Sequence, residues 1–141
     1  MAYEYNRSIQ DAAFRCEKAL PAAGASATTE AFDFEHRSPG EMDGVEAAIL
    51  LPALPNLAAT KAVTVTLEHS ADGVTFTPTD PAITTKVVGV AAGEGVEAGG
   101  AEKEVRFRFP PLTHRYVRLA IAVEASGGNN TAKEITFALL F

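Results

Sequence analysis

The feature that most restricts this chain is side-chain alternation with a period of two, repeated along most of its length. Such alternation marks a strand with one buried and one wetted face, because successive side chains of an extended backbone point in opposite directions. Phe32 and Phe34 alternate with Ala31, Asp33 and Glu35, while Val45, Ala47, Ile49 and Leu51 alternate with Glu46 and Ala48. Val63, Val65 and Leu67 share a face opposite Thr64, Thr66 and Glu68. Ser70-Ala71-Asp72-Gly73 then signals a turn, with glycine supplying the positive φ, and 74–77 is expected to return as the partner strand of a hairpin over 62–78. Further strands are expected over 84–91, 102–109, 116–125 and 134–141. In 102–109, Val105, Phe107 and Phe109 take one face, Glu104, Arg106 and Arg108 the other, and Pro110-Pro111 ends the ladder.

Eight candidate strands with frequent turn signals predict an all-β chain, a jelly-roll-like antiparallel β-sandwich of about eight strands. The first residues read two ways. Ile9, Ala13, Cys16 and Leu20 fit a helical stripe behind a Ser8 cap, yet Tyr3 and Tyr5 alternate as an extended segment would, and Pro21 ends either version. The expectation is an extended N-terminal arm over 1–25 with at most one short helix, and a sandwich over 26–141.

With 141 residues, 47% of them apolar, the chain can bury a core without staples. Its single Cys16 forms no internal disulfide, and Met1-Ala2-Tyr3-Glu4 lacks the basic and apolar regions of a secretory signal. The longest apolar run, 47–55, falls far short of the roughly 20 residues of a bilayer span, so no membrane is expected as partner. The net charge of −6 divides into −9 over residues 1–104 and +3 over 105–141. An acidic chain is disfavoured on nucleic acid, whose affinity comes from cations displacing counterions, while the basic C-terminal part suits an acidic protein surface.

Chemistry is sparse. His36, His69 and His114 are scattered, with no pair at metal-ligand spacing, and read as strand-end side chains. Cys16 has no adjacent base, and reads as a small buried hydrophobe; Glu46, Glu68 and Glu104 occupy outward positions that keep a surface wet. The run 93–100 has phosphate-loop glycines but lacks the Lys-Ser/Thr ending and carries Glu94 and Glu97, so it reads as an exposed loop. No enzyme, cofactor or metal is expected. Should 102–109 pair with 116–125, Arg106, Arg108, Tyr116 and Arg118 share an outer face and form a polar contact patch. Ala48-Ile49-Leu50-Leu51 and Ala138-Leu139-Leu140-Phe141 are apolar on both faces, so something covers the second face: the N-terminal arm, or a subunit surface formed by Ile49, Leu50, Leu51, Leu139, Leu140 and Phe141.

Val65 to Phe76, a strand followed by Ser70-Ala71-Asp72-Gly73 and an aromatic, resembles the hairpin of the jelly-roll capsid cement or decoration proteins of tailed bacteriophages. Arg115-Tyr116-Val117-Arg118-Leu119, followed by a terminal strand, is similar to their closing strands, and Asp11-Ala12-Ala13 and 23–29 resemble their opening. The same hairpin and Arg-Tyr-Val-Arg strand are similar to discoidin-like carbohydrate-binding modules, which stack exposed aromatics, often Trp, on sugars; this chain has no Trp and its Phe residues sit at inward parity. The cement family implies a non-enzymatic virion protein, made in the host cytoplasm and carried on the outer capsid surface. It would act as a homotrimer bound to the major capsid protein, with Tyr3, Tyr5 and Ile9 reaching out in the arm. A tail or baseplate jelly roll carries the same motifs.

Overall fold

The computed structural model describes residues 10–35, 38–42 and 45–140, with side chains from Phe14 onward. Ten strands follow in order: β1 Gln10–Ala19, β2 Ser26–Thr28, β3 Phe32–Asp33, β4 Glu46–Leu51, β5 Ala62–Ser70, β6 Thr77–Pro78, β7 Thr84–Val88, β8 Lys103–Phe107, β9 Tyr116–Val123 and β10 Glu134–Leu140. A 3₁₀ turn at Pro39–Glu41 is the one helical piece among the described residues. The all-β sandwich is as expected. One sheet has the order β1-β10-β4-β8, and the other runs β2-β9-β5-β6, with β3 also on β9 and β7 also on β5.

Two of these strands are interrupted rather than separate. Between β2 and β3, Thr29 keeps the ladder closed, its N–H donating to the Leu119 carbonyl at 2.9 Å and its hydroxyl accepting from Leu119 N–H at 2.9 Å. Between β6 and β7, Leu67 of β5 donates to the Ile83 carbonyl at 2.9 Å and accepts from Thr79 N–H at 3.3 Å. Joined across these bulges, the ten segments become eight strands. First pairs with eighth, second with seventh, third with sixth and fourth with fifth, all antiparallel. That nested pairing is the double Greek key of a jelly roll.

The alternation explains the core. Ile49, Leu51, Ile135, Phe137 and Leu139 from one sheet meet Val63, Val65, Leu67, Val117, Leu119 and Ile121 from the other, all fully buried. Each such side chain contributes on the order of 1.5–3 kcal/mol by leaving water. Aromatic rings line one end of this layer, with Phe32 against Phe137 at 5.0 Å and Phe34 and Phe107 each 5.7 Å from Phe109.

Two expectations are corrected, and the pairing on which the polar patch was conditional is not met. Residues 10–19 do not belong to an arm: they form β1, hydrogen-bonded along β10 from Lys18↔Ile135 to Arg15↔Ala138. The helical stripe was a coincidence of spacing, because β10 is apolar enough to need a strand on each side. Residues 74–76 are not strand, since Asp72 takes the N–H groups of Val74 and Thr75 into its own turn and pairing begins at Thr77. Segments β8 and β9 do not form a hairpin. Pro110 and Pro111 carry the chain from one sheet to the other, so β8 lies on β4 and β9 on β5.

Candidate functional site

The loops gather at two ends that are built differently. At one end 52–61, 89–102 and 124–133 are sealed backbone to backbone. Leu54 and Gly100 exchange hydrogen bonds of 2.8 Å in both directions, and Ala58 N–H donates to Gly127 O at 3.1 Å. Gly128, at φ +84°, passes so close that a Cβ would sit 2.1 Å from Asn56 O. The glycine-rich run is more regular than a flexible loop: Val90↔Gly99 and Gly93↔Val96 bridge it into a small projecting hairpin. A groove of about 560 Å³ runs beside it, lined by Pro55, Val90, Val96 and Lys133 among others.

Among the described residues the opposite end is formed by 34–35, 38–42, 70–76 and 108–115, and side chains hold it together. Arg115 grips Asp33 bidentately, Nε to Oδ1 at 2.6 Å and Nη2 to Oδ2 at 2.9 Å, which links the end of β3 to the start of β9. Thr113 is buried, and both its N–H and its hydroxyl donate to Pro110 O, at 3.0 and 2.7 Å. This tight turn raises Leu112 at its apex, 76% exposed. In the neighbouring turn the Ser70 hydroxyl donates to Asp72 Oδ1 at 2.7 Å and accepts from Gly73 N–H at 2.9 Å. Asp72 Oδ1 also accepts from Val74 and Thr75 N–H at 2.9 Å each. Those N–H donors, Thr75 and Val74 first and the Ser70 hydroxyl after them, hold the Asp72 carboxyl down to about 2. A Cβ added at Gly73, whose φ is +77°, would meet the Tyr116 ring at 3.2 Å, and Val74 projects beyond it, 82% exposed.

Between the two turns His69 and His114 stack, ring centroids 4.5 Å apart and planes inclined by 24°. His114 N–H donates to His69 Nδ1 at 3.0 Å. Burial, and then the neighbouring His114, push His69 below the usual histidine range. A shallow hollow of about 270 Å³ beside the rings is bordered by Ser70, Asp72, Thr75 and Thr77. No cluster of three or more metal-ligating side chains occurs among the described residues. Because Nδ1 accepts from His114 N–H, neutral His69 carries its proton on Nε2.

The sequence treated these histidines as scattered. They meet because β5 and β9 pair with Ser70 opposite Tyr116 and His69 opposite Val117, which brings the residue two before Tyr116 alongside the β5 terminus. Matching β9 to β5 on the strength of their similar length and alternation was the one available signal. His36 lies outside the described residues, as do Tyr3, Tyr5, Ile9 and Phe141.

The proposed polar patch is split. Arg106 and Arg108 lie on the outer face of the first sheet, where Arg106 pairs with Glu104 at 2.9 Å and Arg108 approaches Glu46 at 3.8 Å. Tyr116 and Arg118 lie on the second sheet, where Arg118 binds Glu68 at 3.1 Å and covers the Phe76 ring at 3.9 Å. The expected apolar surface is divided too. Ile49, Leu51 and Leu139 face the core and Leu140 is also buried, leaving Leu50 as the partly exposed member among the described residues. Across the outer face run two rows, Arg15-Ala138-Ala48-Arg106 and Glu17-Thr136-Leu50-Glu104, with Arg15 and Glu17 paired at 3.1 Å. Cys16 is half-buried on the inner side of β1, and its thiol is pushed up by that burial.

No protein-family model matches this chain, and no curated protein matches it. Among solved structures it is similar to the infectious bursal disease virus VP2 subviral particle, with 12% sequence identity and a TM-score of 0.34. That likeness covers 90% of this chain and 28% of the VP2 chain, so this chain spans little more than a quarter of that chain's length.

Proposed function

We propose that this chain is a non-enzymatic virion structural protein of the jelly-roll cement or decoration kind. It binds the major capsid protein lattice of a tailed bacteriophage from outside and stabilises the shell as a homotrimer. The observation that supports this reading best is the pair of apolar side chains, Val74 and Leu112, held out at the apices of adjacent turns, 82% and 76% exposed. Each turn is fixed internally, by Asp72 and Ser70 in one case and by Thr113 in the other. Anchors presented on rigid turns lose little freedom on docking, so more of their burial appears as affinity. Many copies acting on one lattice add effective concentration to modest single contacts. Gln10 pairs with Leu140 at this same end, and the proposed contact arm of Tyr3, Tyr5 and Ile9 precedes it in sequence.

The test uses purified virions. Mass spectrometry should find the chain at high copy number in heads rather than tails, and Val74→Asp with Leu112→Asp should abolish rebinding to heads stripped of it. Both positions are exposed, so the double variant should keep its stability to within about 0.5 kcal/mol. Undiminished rebinding would overturn the docking role, and retention of a monomer on a glycan column would favour the discoidin-like alternative.

A further inference from the structure

We infer that His69 and His114 form an acid-sensitive latch that fastens the 108–115 loop, and Leu112 with it, onto the 70–76 turn. The consequence for docking rests on the function proposed above; the latch itself does not.

The geometry fixes a protonation state. An imidazole nitrogen accepts a hydrogen bond only while it carries no proton, so the 3.0 Å bond from His114 N–H to Nδ1 requires neutral His69 with its proton on Nε2. Protonating Nδ1 replaces an acceptor with a donor facing a donor. The stack opposes the same change, since charging both rings places two cations 4.5 Å apart, centroid to centroid.

The surrounding groups do not offset this. Asp72, the carboxylate bordering the hollow, commits Oδ1 to Ser70, Val74 and Thr75. Arg115, next along the 108–115 loop, is held by Asp33 and lies over the Tyr116 ring at 4.8 Å. The strand partners of His69, Thr77 and Val117, carry no charge, and its neighbour Glu68 is paired with Arg118. Accordingly burial and His114 lower the His69 pKa, so an open form takes up the proton first. The latch is therefore fully closed above about pH 6.5, the unperturbed histidine value, and weakens as pH falls below it. Opening is local, because Thr113 on Pro110 keeps the turn closed on itself and Arg115 on Asp33 keeps the end of the loop attached to β3.

The experiment is NMR on the full chain. At about pH 7.5, ¹⁵N imidazole shifts should report His69 unprotonated at Nδ1. From there to about pH 5, protection of the His114 amide, corrected for intrinsic exchange, should fall several-fold, with the Thr113 amide as a steady reference. His69→Gln keeps an acceptor that does not titrate, and should make that protection independent of pH. A proton on Nδ1 in the wild-type protein, an unchanged His114 amide, or the same fall in His69→Gln would each overturn the latch. The tautomer measurement needs no variant, so a misfolded one cannot mask the result. A third arm compares head binding at the two pH values. If the aspartate double variant binds normally while the amide titrates as expected, the docking reading fails and the latch stands; the converse leaves docking intact and removes the latch.

Discussion

The side chain that does most for its local structure is Asp72, which is fully exposed and yet accepts from two backbone N–H groups and a serine hydroxyl. Such bonds favour the charged form, which is why an exposed carboxylate titrates at about 2. The sign follows from linkage. A folded pKa below the unfolded 3.8 means the turn's contribution is complete above that value and is lost as pH falls toward 2. A ¹³C carboxyl titration should find that low midpoint, and Asp72→Asn should flatten the acid limb of the stability profile between those pH values. The Ser-x-Asp-Gly motif was legible as a turn from sequence alone, because each residue type has its own reason to be there. Its extent was not, since the side chain reaches two residues beyond the glycine and delays the returning strand.

Strands with apolar side chains on alternate positions were all found by their period, and those without it were missed. Segment β2 has three residues, and β1 places only Phe14 and Cys16 inward among its described side chains before Lys18 and Ala19 turn exposed. Its strand character comes from a neighbour rather than from its own pattern, as tertiary context overrides local preference. A truncation meant to remove an arm must therefore stop before Gln10. Deleting residues 1–9 should leave the sandwich folded, whereas deletion through Ala19 uncovers one hydrogen-bonding edge of β10, five of whose residues are buried. Urea titration should show intact cooperative unfolding in the first case, and light scattering should show aggregation in the second, since a bared apolar edge templates pairing between chains. Arg106 was placed on the correct face of β8, with Arg108 one residue past its end, but the strand was given the wrong neighbour. A sequential hairpin is the usual outcome for adjacent strands, and a jelly roll is the arrangement that departs from it.

Across the whole molecule, the nested pairing means that the outermost hydrogen-bonded pair joins the two ends of the chain, Lys18 to Ile135. Little of that ladder can form before long loops have closed, so refolding should take roughly milliseconds to seconds; stopped-flow fluorescence showing completion within microseconds would contradict the topology. The two loop ends divide the labour, one locked by backbone contacts at Gly100 and Gly128, the other joined through Asp33, Arg115 and the two histidines. The register pair Gln10↔Leu140 also brings the first and last described residues side by side. A short linker there, with new termini opened at the tip of the 90–99 hairpin, gives a circular permutant whose every ladder is retained and whose free ends point away from the histidines, a geometry for carrying a fused passenger on the side turned from whatever the protein grips.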